Sequence, residues 1–286
     1  MKNNHFQHLL EINLAMLFIS TSGALGRYVQ LSVPVAIGAR AILAFIALFL
    51  YCKWKGFGLK IDKKDTGVIL LSGLLMGTHW IAYFYALKLS NVAIGMLSIF
   101  TYPVITALLE PVLLKTKFQL VHILLAVLVL TGMYFLNPTL NFEDSYTIAI
   151  GFGVFSALAY ALRNILLKKK VSKYNGSMLM TYQTAIVGVL LFPFLFTVTS
   201  EAIVAQWHVL VALAILTTAI GHTLFLMTFK HFNITTVSIL SSIQPVYGII
   251  IGAIFLSEIP RGTTIIGGIL ILSSVVIESI RSKKAT

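Results

Sequence analysis

The most regular feature of this sequence is a series of long apolar blocks separated by short polar breaks. The blocks lack the alternation of apolar and polar positions typical of strands, and most approach the roughly 20 residues that a helix needs to cross a bilayer. Because a chain in lipid must pair its own backbone groups, such blocks predict helices rather than a barrel. The pattern predicts an all-α polytopic membrane protein with ten transmembrane helices, at about 9–29, 33–52, 66–87, 92–114, 118–136, 147–167, 176–199, 208–229, 234–256 and 263–280.

Composition agrees with this class. Of 286 residues, 58% are hydrophobic and 10% are charged, whereas a soluble domain carries about 25% charged residues. The net charge of +12 could suggest nucleic acid, but the lysines fall in short loops between apolar blocks, where they contact anionic lipid headgroups. We therefore expect the lipid bilayer and a small-molecule substrate as partners, and no nucleic acid. The single cysteine, Cys52, excludes an intramolecular disulfide, and no cofactor or metal site is predicted.

The positions of lysine and arginine predict the orientation. With a cytoplasmic N-terminus, only Lys88 and Arg261 lie in outward loops. Sixteen basic residues then lie in cytoplasmic segments: Lys2, Lys53, Lys55, Lys60, Lys63, Lys64, Lys115, Lys117, Lys168, Lys169, Lys170, Lys173, Lys230, Arg281, Lys283 and Lys284. The positive-inside rule then predicts that both termini are cytoplasmic in a bacterial-type inner (plasma) membrane. The first block follows a short N-terminal segment with no cleavage pattern, so we expect it to be an uncleaved span.

The chain also repeats itself at a shift of 142 residues. The shift aligns the fourth span with the ninth without a gap, and it pairs Lys88 with Lys230, Asn91 with Asn233, and Pro103 with Pro245. The repeat predicts two halves, 1–141 and 142–286, of five spans each. An odd number of spans makes the second half enter the membrane from the opposite side. Such inverted repeats are typical of secondary transporters whose binding site lies between the halves near the midplane.

These segments resemble the EamA-type members of the drug/metabolite transporter superfamily over essentially the whole chain. The resemblance is carried by residues 86–93 (ALKLSNVA), 102–104 (YPV), 244–246 (QPV), 256–260 (LSEIP) and 267–268 (GG). It implies export of amino acids, drugs or other small metabolites, and more distant relatives exchange nucleotide sugars or phosphorylated sugars. The family usually has a further acidic residue after the equivalent of Leu114, but this chain has Lys115-Thr116-Lys117 there. Glu258 therefore lacks a symmetric acidic counterpart.

Polar and aromatic side chains inside the spans are the candidate substrate-binding residues, because such groups are costly in lipid. His79 and His222 lie near mid-span in equivalent helices; each could bind substrate, carry a proton or simply bond to a neighbour. Arg40 needs a partner, water or an anionic ligand, and it either lines a cavity or is a structural hub. The aromatic residues suit an apolar or aromatic solute or are a generic lining. The full predicted set is Arg40, His79, Trp80, Tyr83, Tyr102, Tyr160, Asn164, Gln183, His222 and Gln244.

Other intramembrane residues are candidates for gating or for packing. Pro103 and Pro245 are predicted at helix centres, where each would free a carbonyl to line a cavity or would only kink the helix. Glu110 is expected to pair with a lysine of the next loop or to gate the inward opening. Arg27 and Arg163 are expected to extend to the headgroups. The glycine pair 267–268 could form a dimer face, and both a monomer and a homodimer stay open.

The function that these features favour is a secondary transporter that moves an amino acid or related metabolite, in the direction of export, by alternating access. A proton gradient or the solute gradient alone could drive it, and no nucleotide-binding loop suggests ATP use. The basic midplane residues favour a solute with a carboxylate. The alternatives are a transporter of sugar phosphates or nucleotide sugars, and a membrane-embedded enzyme. The enzyme is disfavoured because the sequence has no H-E-x-x-H or G-x-S-x-G pattern.

Overall fold

A computed structural model describes residues 2–114, 120–137, 141, 143–232, 237 and 240–284. In this part of the chain all regular structure is helical, as predicted. The helices are α1 (Lys2–Tyr28), α2 (Val33–Trp54), α3 (Thr66–Leu89), α4 (Val92–Ile99), α5 (Tyr102–Leu114), α6 (Val121–Leu136), α7 (Ser145–Lys168), α8 (Gly176–Leu191), α9 (Ser200–Ala205), α10 (Trp207–Thr228), α11 (Ile243–Leu256) and α12 (Gly262–Lys284). The described residues contain six helices long and apolar enough to span a bilayer: α2, α3, the α4–α5 pair, α7, α8 with its 3-10 extension, and α10.

Contacts between helix ends define one end of the bundle, which we call the Glu258 end. Lys88, near the end of α3, donates to the carbonyl of Val29, and Nη1 of Arg27 donates to the carbonyl of Lys88 at 3.2 Å. Nε of Arg27 also lies 2.9 Å from Oε1 of Glu258. Oε2 of Glu258 accepts the N–H of Val92, the first residue of α4, at 2.8 Å. The ends of α1, α3 and α11 and the start of α4 therefore lie together.

The opposite end, which we call the lysine-rich end, contains the start of α3 and the end of α7. The carboxylate of Asp65 accepts hydrogen bonds from three side chains that follow α7: Lys170, Lys173 and Tyr174. Nearby, Nζ of Lys168 donates to Oε1 of Glu110 at 2.7 Å. With 24 residues in α3, the two ends are about 36 Å apart.

Helices from the two predicted halves pack against each other throughout the bundle. Helix α3 packs on α7, and α1 packs on α10; α4 packs on α7, and α1 packs on α11. Helix α2 packs on α8, and α6 packs on α12. Buried side chains from α1, α2, α3, α4, α7, α8 and α10 form one hydrophobic cluster. The core therefore lies between the halves.

The structure changes the predicted role of the two prolines. The span with Pro103 is interrupted between α4 and α5, and Pro103 is the second residue of α5. Pro245 is the third residue of α11. In the first turn of a helix a backbone N–H has no intrahelical acceptor, so proline removes no hydrogen bond there. Neither proline therefore frees a carbonyl inside a continuous helix, which corrects that part of the prediction, whereas Pro103 does lie at the centre of the Val92–Leu113 span.

The glycine pair in α12 packs inside the chain rather than on a free face. A Cβ built on Gly267 would lie 2.5 Å from the carbonyl oxygen of Gly132 in α6. One built on Gly268 would lie 3.0 Å from the side chain of Leu97. Glycine therefore allows α6 and α12 to approach closely, and these two glycines are not available for the dimer face considered from the sequence.

Candidate functional site

A small cavity lies between the helices of both halves, away from the two ends. Its volume is about 20 Å³, which is enough for about one water molecule, so this conformation is closed around the site. Helices α1, α2, α3, α4, α5, α7, α10 and α11 contribute side chains to its wall. Eight of the ten predicted binding residues line it: Arg40, His79, Trp80, Tyr83, Tyr102, Tyr160, His222 and Gln244.

Arg40 is the charged residue of this cavity, and its side chain is only partly bonded. It is 1% exposed. Its Nε donates to Oγ1 of Thr218 at 2.6 Å, and its Cζ lies 4.4 Å from the ring centroid of Trp80, within cation–π range. Nη1 and Nη2 are buried and have no hydrogen-bond partner among the described residues. A buried guanidinium with two free N–H-bearing nitrogens is expensive unless an acceptor binds there.

A π-helical stretch of α10, Leu213–His222, places His222 at the cavity and Thr218 against Arg40. The hydroxyl of Thr218 donates to the carbonyl of Leu213, five residues earlier, at 3.0 Å, so its oxygen is free to accept from Arg40. The same stretch ends at His222. Isolated π-turns are uncommon and often occur at functional sites, and this one contributes residues that contact both Arg40 and Trp80.

Trp80 and His222 form a hydrogen bond across the cavity. Nε1 of Trp80 lies 3.3 Å from Nε2 of His222. Because an indole N–H can only donate, His222 accepts through Nε2 and is a neutral imidazole with its proton on Nδ1. That Nδ1 is buried without a partner in the part of the chain the structure describes. The two residues are 142 positions apart, which is the shift of the sequence repeat, although the sequence analysis did not pair them.

His79 is bonded to a neighbour, one of the alternatives considered from the sequence. Oγ of Ser156 donates to the carbonyl of His79 at 2.8 Å and lies 2.9 Å from its Nδ1. Since the hydroxyl proton goes to the carbonyl, Nδ1 carries a proton and donates to Oγ. The imidazole also stacks on Tyr160 with ring centroids 4.4 Å apart. His79 therefore links α3 to α7 at the cavity wall.

Arg163 is a second buried cation that the sequence analysis placed wrongly. It is 0% exposed and does not extend to the headgroups. Its Nε and Nη2 donate to Oε1 of Gln183 at 3.0 and 2.9 Å, and its Nη1 donates to Oδ1 of Asn164 at 2.9 Å. Gln183 and Asn164 therefore bind Arg163 and are not among the residues that line the central cavity. The sequence did contain a signal for this pairing, because Asn164 and Gln183 are amides inside spans and can supply acceptors to a nearby arginine.

No carboxylate contacts either buried arginine within the described ranges. Glu258 pairs with Arg27 at one end of the bundle, and Glu110 pairs with Lys168 at the other. Hydrocarbon cannot stabilise a bare charge, so buried cations in a membrane protein pair with protein groups, water or ligand. Arg163 has amide partners, whereas most donors of Arg40 have no acceptor among the residues that the structure describes. The cavity is thus suited to an anionic group.

The ion pairs at the two ends differ from the sequence predictions. Arg27, expected at the headgroups, pairs with Glu258 instead. The partner of Glu110 is Lys168 of the second half; the lysines of the next loop, 115 and 117, lie outside the described residues. Beyond the spans, the pKa of Lys173 is raised by hydrogen bonds to the carboxylates of Asp62 and Asp65, and the pKa of Asp62 is lowered by its bond to Lys173. Each end is therefore closed by ionic contacts between residues of the two halves.

Comparison with known proteins agrees with this arrangement. The model of the EamA-like transporter family matches the chain twice, over residues 9–137 and 147–280. The chain belongs to the EamA-like transporter family. The resemblance inferred from the sequence motifs is thereby confirmed, and membership points to a transporter rather than an enzyme.

Relatives of this EamA protein are described as transporters. It is 23% identical over 273 residues to a pseudopaline exporter, CntI, of Pseudomonas aeruginosa, covering 95% of both chains. It is 26% identical to an uncharacterized transporter of Archaeoglobus fulgidus, covering 83% of both. A solved crystal structure covers 98% of both chains with a TM-score of 0.69 at 15% identity, which shows a shared fold. The EamA protein is thus a multi-pass membrane protein of transporter type.

Proposed function

We propose that this protein exports a small carboxylate-bearing metabolite, such as an amino acid or a related solute, by alternating access around the central cavity. The observation that carries the proposal is Arg40. Its two Nη groups, which have no partner in the described part of the chain, suit a ligand with paired oxygen acceptors, and a carboxylate matches a guanidinium through two parallel hydrogen bonds. The nearby aromatic rings would pack on the remainder of the solute.

The proposed architecture is two inverted halves, 1–141 and 142–286, with ten spans in total. The spans would be α1, α2, α3, α4–α5 and α6, followed by α7, α8, α10, α11 and α12. Two matches of one family model support the repeat. The packing does too, because the most extensive contacts between halves come in matching pairs: α3–α7 matches α1–α10, and α4–α7 matches α1–α11. The bond between Trp80 and His222 joins positions that the repeat makes equivalent.

The proposed orientation places the lysine-rich end in the cytoplasm. The segments after α2, α7 and α10 contain eight of the 16 lysines of the chain, and the contacts of Asp65 and Glu110 join α3, α5 and α7 at that end. Under the positive-inside rule, a basic end faces the cytoplasm. Helix α1 starts at this end, and α12 runs towards it, so both termini would be cytoplasmic.

Alternating access requires that the cavity can open to either side in turn. In this conformation both ends are closed, by Arg27 with Glu258 and by Glu110 with Lys168. Breaking one pair while keeping the other would open one side alone. The roles of Glu110, Pro103 and Pro245 in gating rest on this cycle, with the two prolines at the starts of α5 and α11, where rigid helix segments begin.

Proton coupling belongs to the proposal as a separate step. His222 is a neutral imidazole in this arrangement, because its Nε2 accepts from Trp80, and His79 has its Nδ1 proton bonded to Ser156. Protonation of His222 at Nε2 would break its hydrogen bond from Trp80. His79 would take up its proton at Nε2, because its Nδ1 already carries one. Either event would add positive charge beside Arg40 and strengthen anion binding, so proton uptake and solute binding would favour one another.

Counterflow in proteoliposomes tests the proposal. Proteoliposomes that contain the purified protein are loaded with an unlabelled solute. They are then assayed for uptake of labelled amino acids, their amides, carboxylic acids, amines and sugar phosphates. Sugar phosphates are included because a guanidinium also binds phosphate. We expect exchange of carboxylates and at least tenfold less exchange of the matching amides. Arg40→Gln should abolish this exchange, while Arg261→Gln, an exposed cation at the Glu258 end, should not. Equal transport of acid and amide overturns carboxylate recognition, and preferred exchange of sugar phosphates supports the alternative substrate class.

A further inference from the structure

A cluster of metal-ligand side chains lies outside the central cavity, where α1 begins and α10 ends. His8 and Glu11 are three positions apart on α1, so they share one face of the helix. His231 lies in the turn after α10. Nδ1 of His8 is 3.1 Å from Oε2 of Glu11, and one ligand atom from each of the three residues lies within 4.8 Å of the others. We propose that His8, Glu11 and His231 form a binding site for a divalent transition metal of the zinc type.

The ligand set fits this metal. Two imidazoles and one carboxylate leave a fourth position of a tetrahedral zinc site for water. Zinc–ligand bonds of about 2.0–2.1 Å place ligand atoms of a tetrahedron roughly 3.3 Å apart. The separation of 3.1 Å between His8 and Glu11 already matches. The remaining separations need to shrink by no more than about 1.5 Å, which is within the reach of a side-chain rotation.

One imidazole must turn for coordination. The rings of His8 and His231 are stacked, with centroids 3.7 Å apart and planes at 12°. The lone pairs of stacked rings lie in parallel planes, whereas a shared metal needs lone pairs that converge on one point. His231 is exposed and lies beyond the end of α10, so its ring can rotate without disturbing the core. His8 then keeps its position beside Glu11.

The charges of the three ligands also suit a divalent cation. A metal binds the neutral imidazole through a nitrogen lone pair. The carboxylate of Glu11 offsets part of the charge of a divalent cation.

A metal here would join the two halves of the protein. His8 and Glu11 belong to the first half, and His231 belongs to the second. The site lies at the opposite end of α1 from Arg27, so it is at the same end as the pair of Glu110 with Lys168. Bound zinc would hold the lysine-rich end closed and slow transport. This last effect rests on the proposed function, whereas metal binding does not.

Titration of the tag-free, chelator-treated full-length protein with Zn²⁺ and Co²⁺ tests the site. We expect one metal per chain, a Co²⁺ absorption spectrum typical of tetrahedral coordination, and no competition from Mg²⁺. His8→Ala and His231→Ala should each weaken binding at least tenfold. His208→Ala removes an exposed histidine near the Glu258 end and should leave it unchanged. Absence of binding, or equal affinity in His231→Ala and the unmodified protein, overturns the site.

A transport assay separates the site from its consequence. Micromolar Zn²⁺ should slow counterflow by the unmodified protein and leave His231→Ala unaffected. Stoichiometric binding without any effect on measurable transport overturns the closing role alone. If the protein transports none of the solutes, the proposed function is contradicted. The metal titration does not depend on transport and still tests the metal site.

Discussion

Neutralising Glu258 should open the cavity at the Glu258 end. The carboxylate bonds to Arg27 through one oxygen and to the N–H of Val92 through the other. It therefore ties α1 and the start of α4 to the segment after α11. Glu258→Gln keeps the size of the side chain and one acceptor, but it removes the charge that attracts Arg27.

The magnitude follows from distance and exposure. At 2.9 Å the attraction is about 6 kcal/mol with an effective dielectric constant of 20. The side chains of Arg27 and Glu258 are 34% and 21% exposed, so water screens the pair and leaves a net contribution of about 1 kcal/mol. The charge-assisted bond to Val92 adds up to about 1 kcal/mol. A loss of about 1–2 kcal/mol raises the ratio of open to closed protein roughly 5- to 30-fold.

Cysteine labelling measures this ratio. Ser22 lines the central cavity, and Cys52 is the single native cysteine, so Ser22→Cys in a Cys52→Ala background provides one reporter. We expect a membrane-impermeant maleimide, added outside, to react about 5- to 30-fold faster when Glu258→Gln is also present. Arg261→Gln removes a charge at the same end and is the control. An unchanged rate in Glu258→Gln, or an equal increase in Arg261→Gln, would refute the reasoning.

Three further predictions concern stability, measured as the melting temperature of the purified protein. Lys173→Met should lower the melting temperature at pH 7, and the difference from the unmodified protein should shrink below about pH 4. Lys173 lowers the pKa of Asp62, so their pair stabilises the fold above the unfolded pKa of Asp62 and stops doing so as Asp62 is protonated. A difference that does not depend on pH contradicts this. Gln183→Leu should cost about 2–4 kcal/mol, since two donors of Arg163 lose their acceptor, and an unchanged melting temperature argues against that pairing. Gly267→Ala should cost about 1–3 kcal/mol because its Cβ would lie 2.5 Å from a backbone carbonyl oxygen of α6; full stability would show that the two helices separate freely.

Much of the candidate site was predictable because polar groups in lipid are expensive wherever they occur. That penalty depends on the span alone, so Arg40, His79 and His222 could be identified before any contact was known. Eight of the ten candidate residues then line one cavity in the structure. Depth along a helix was less informative for Arg163, since a cation near a helix end can reach the headgroups or turn inward. Its two amide partners decide between these outcomes.

The pattern of apolar blocks by itself determined the membrane class and the helical structure, and the short sequence motifs indicated the transporter family. These properties follow from the local free energy of placing each segment in lipid. Only the tertiary structure decided which charges meet: Arg27 with Glu258, Glu110 with Lys168, and His8 beside Glu11 and His231. Such partners lie on different helices, and their distances depend on how the helices pack, which no local pattern along the chain records.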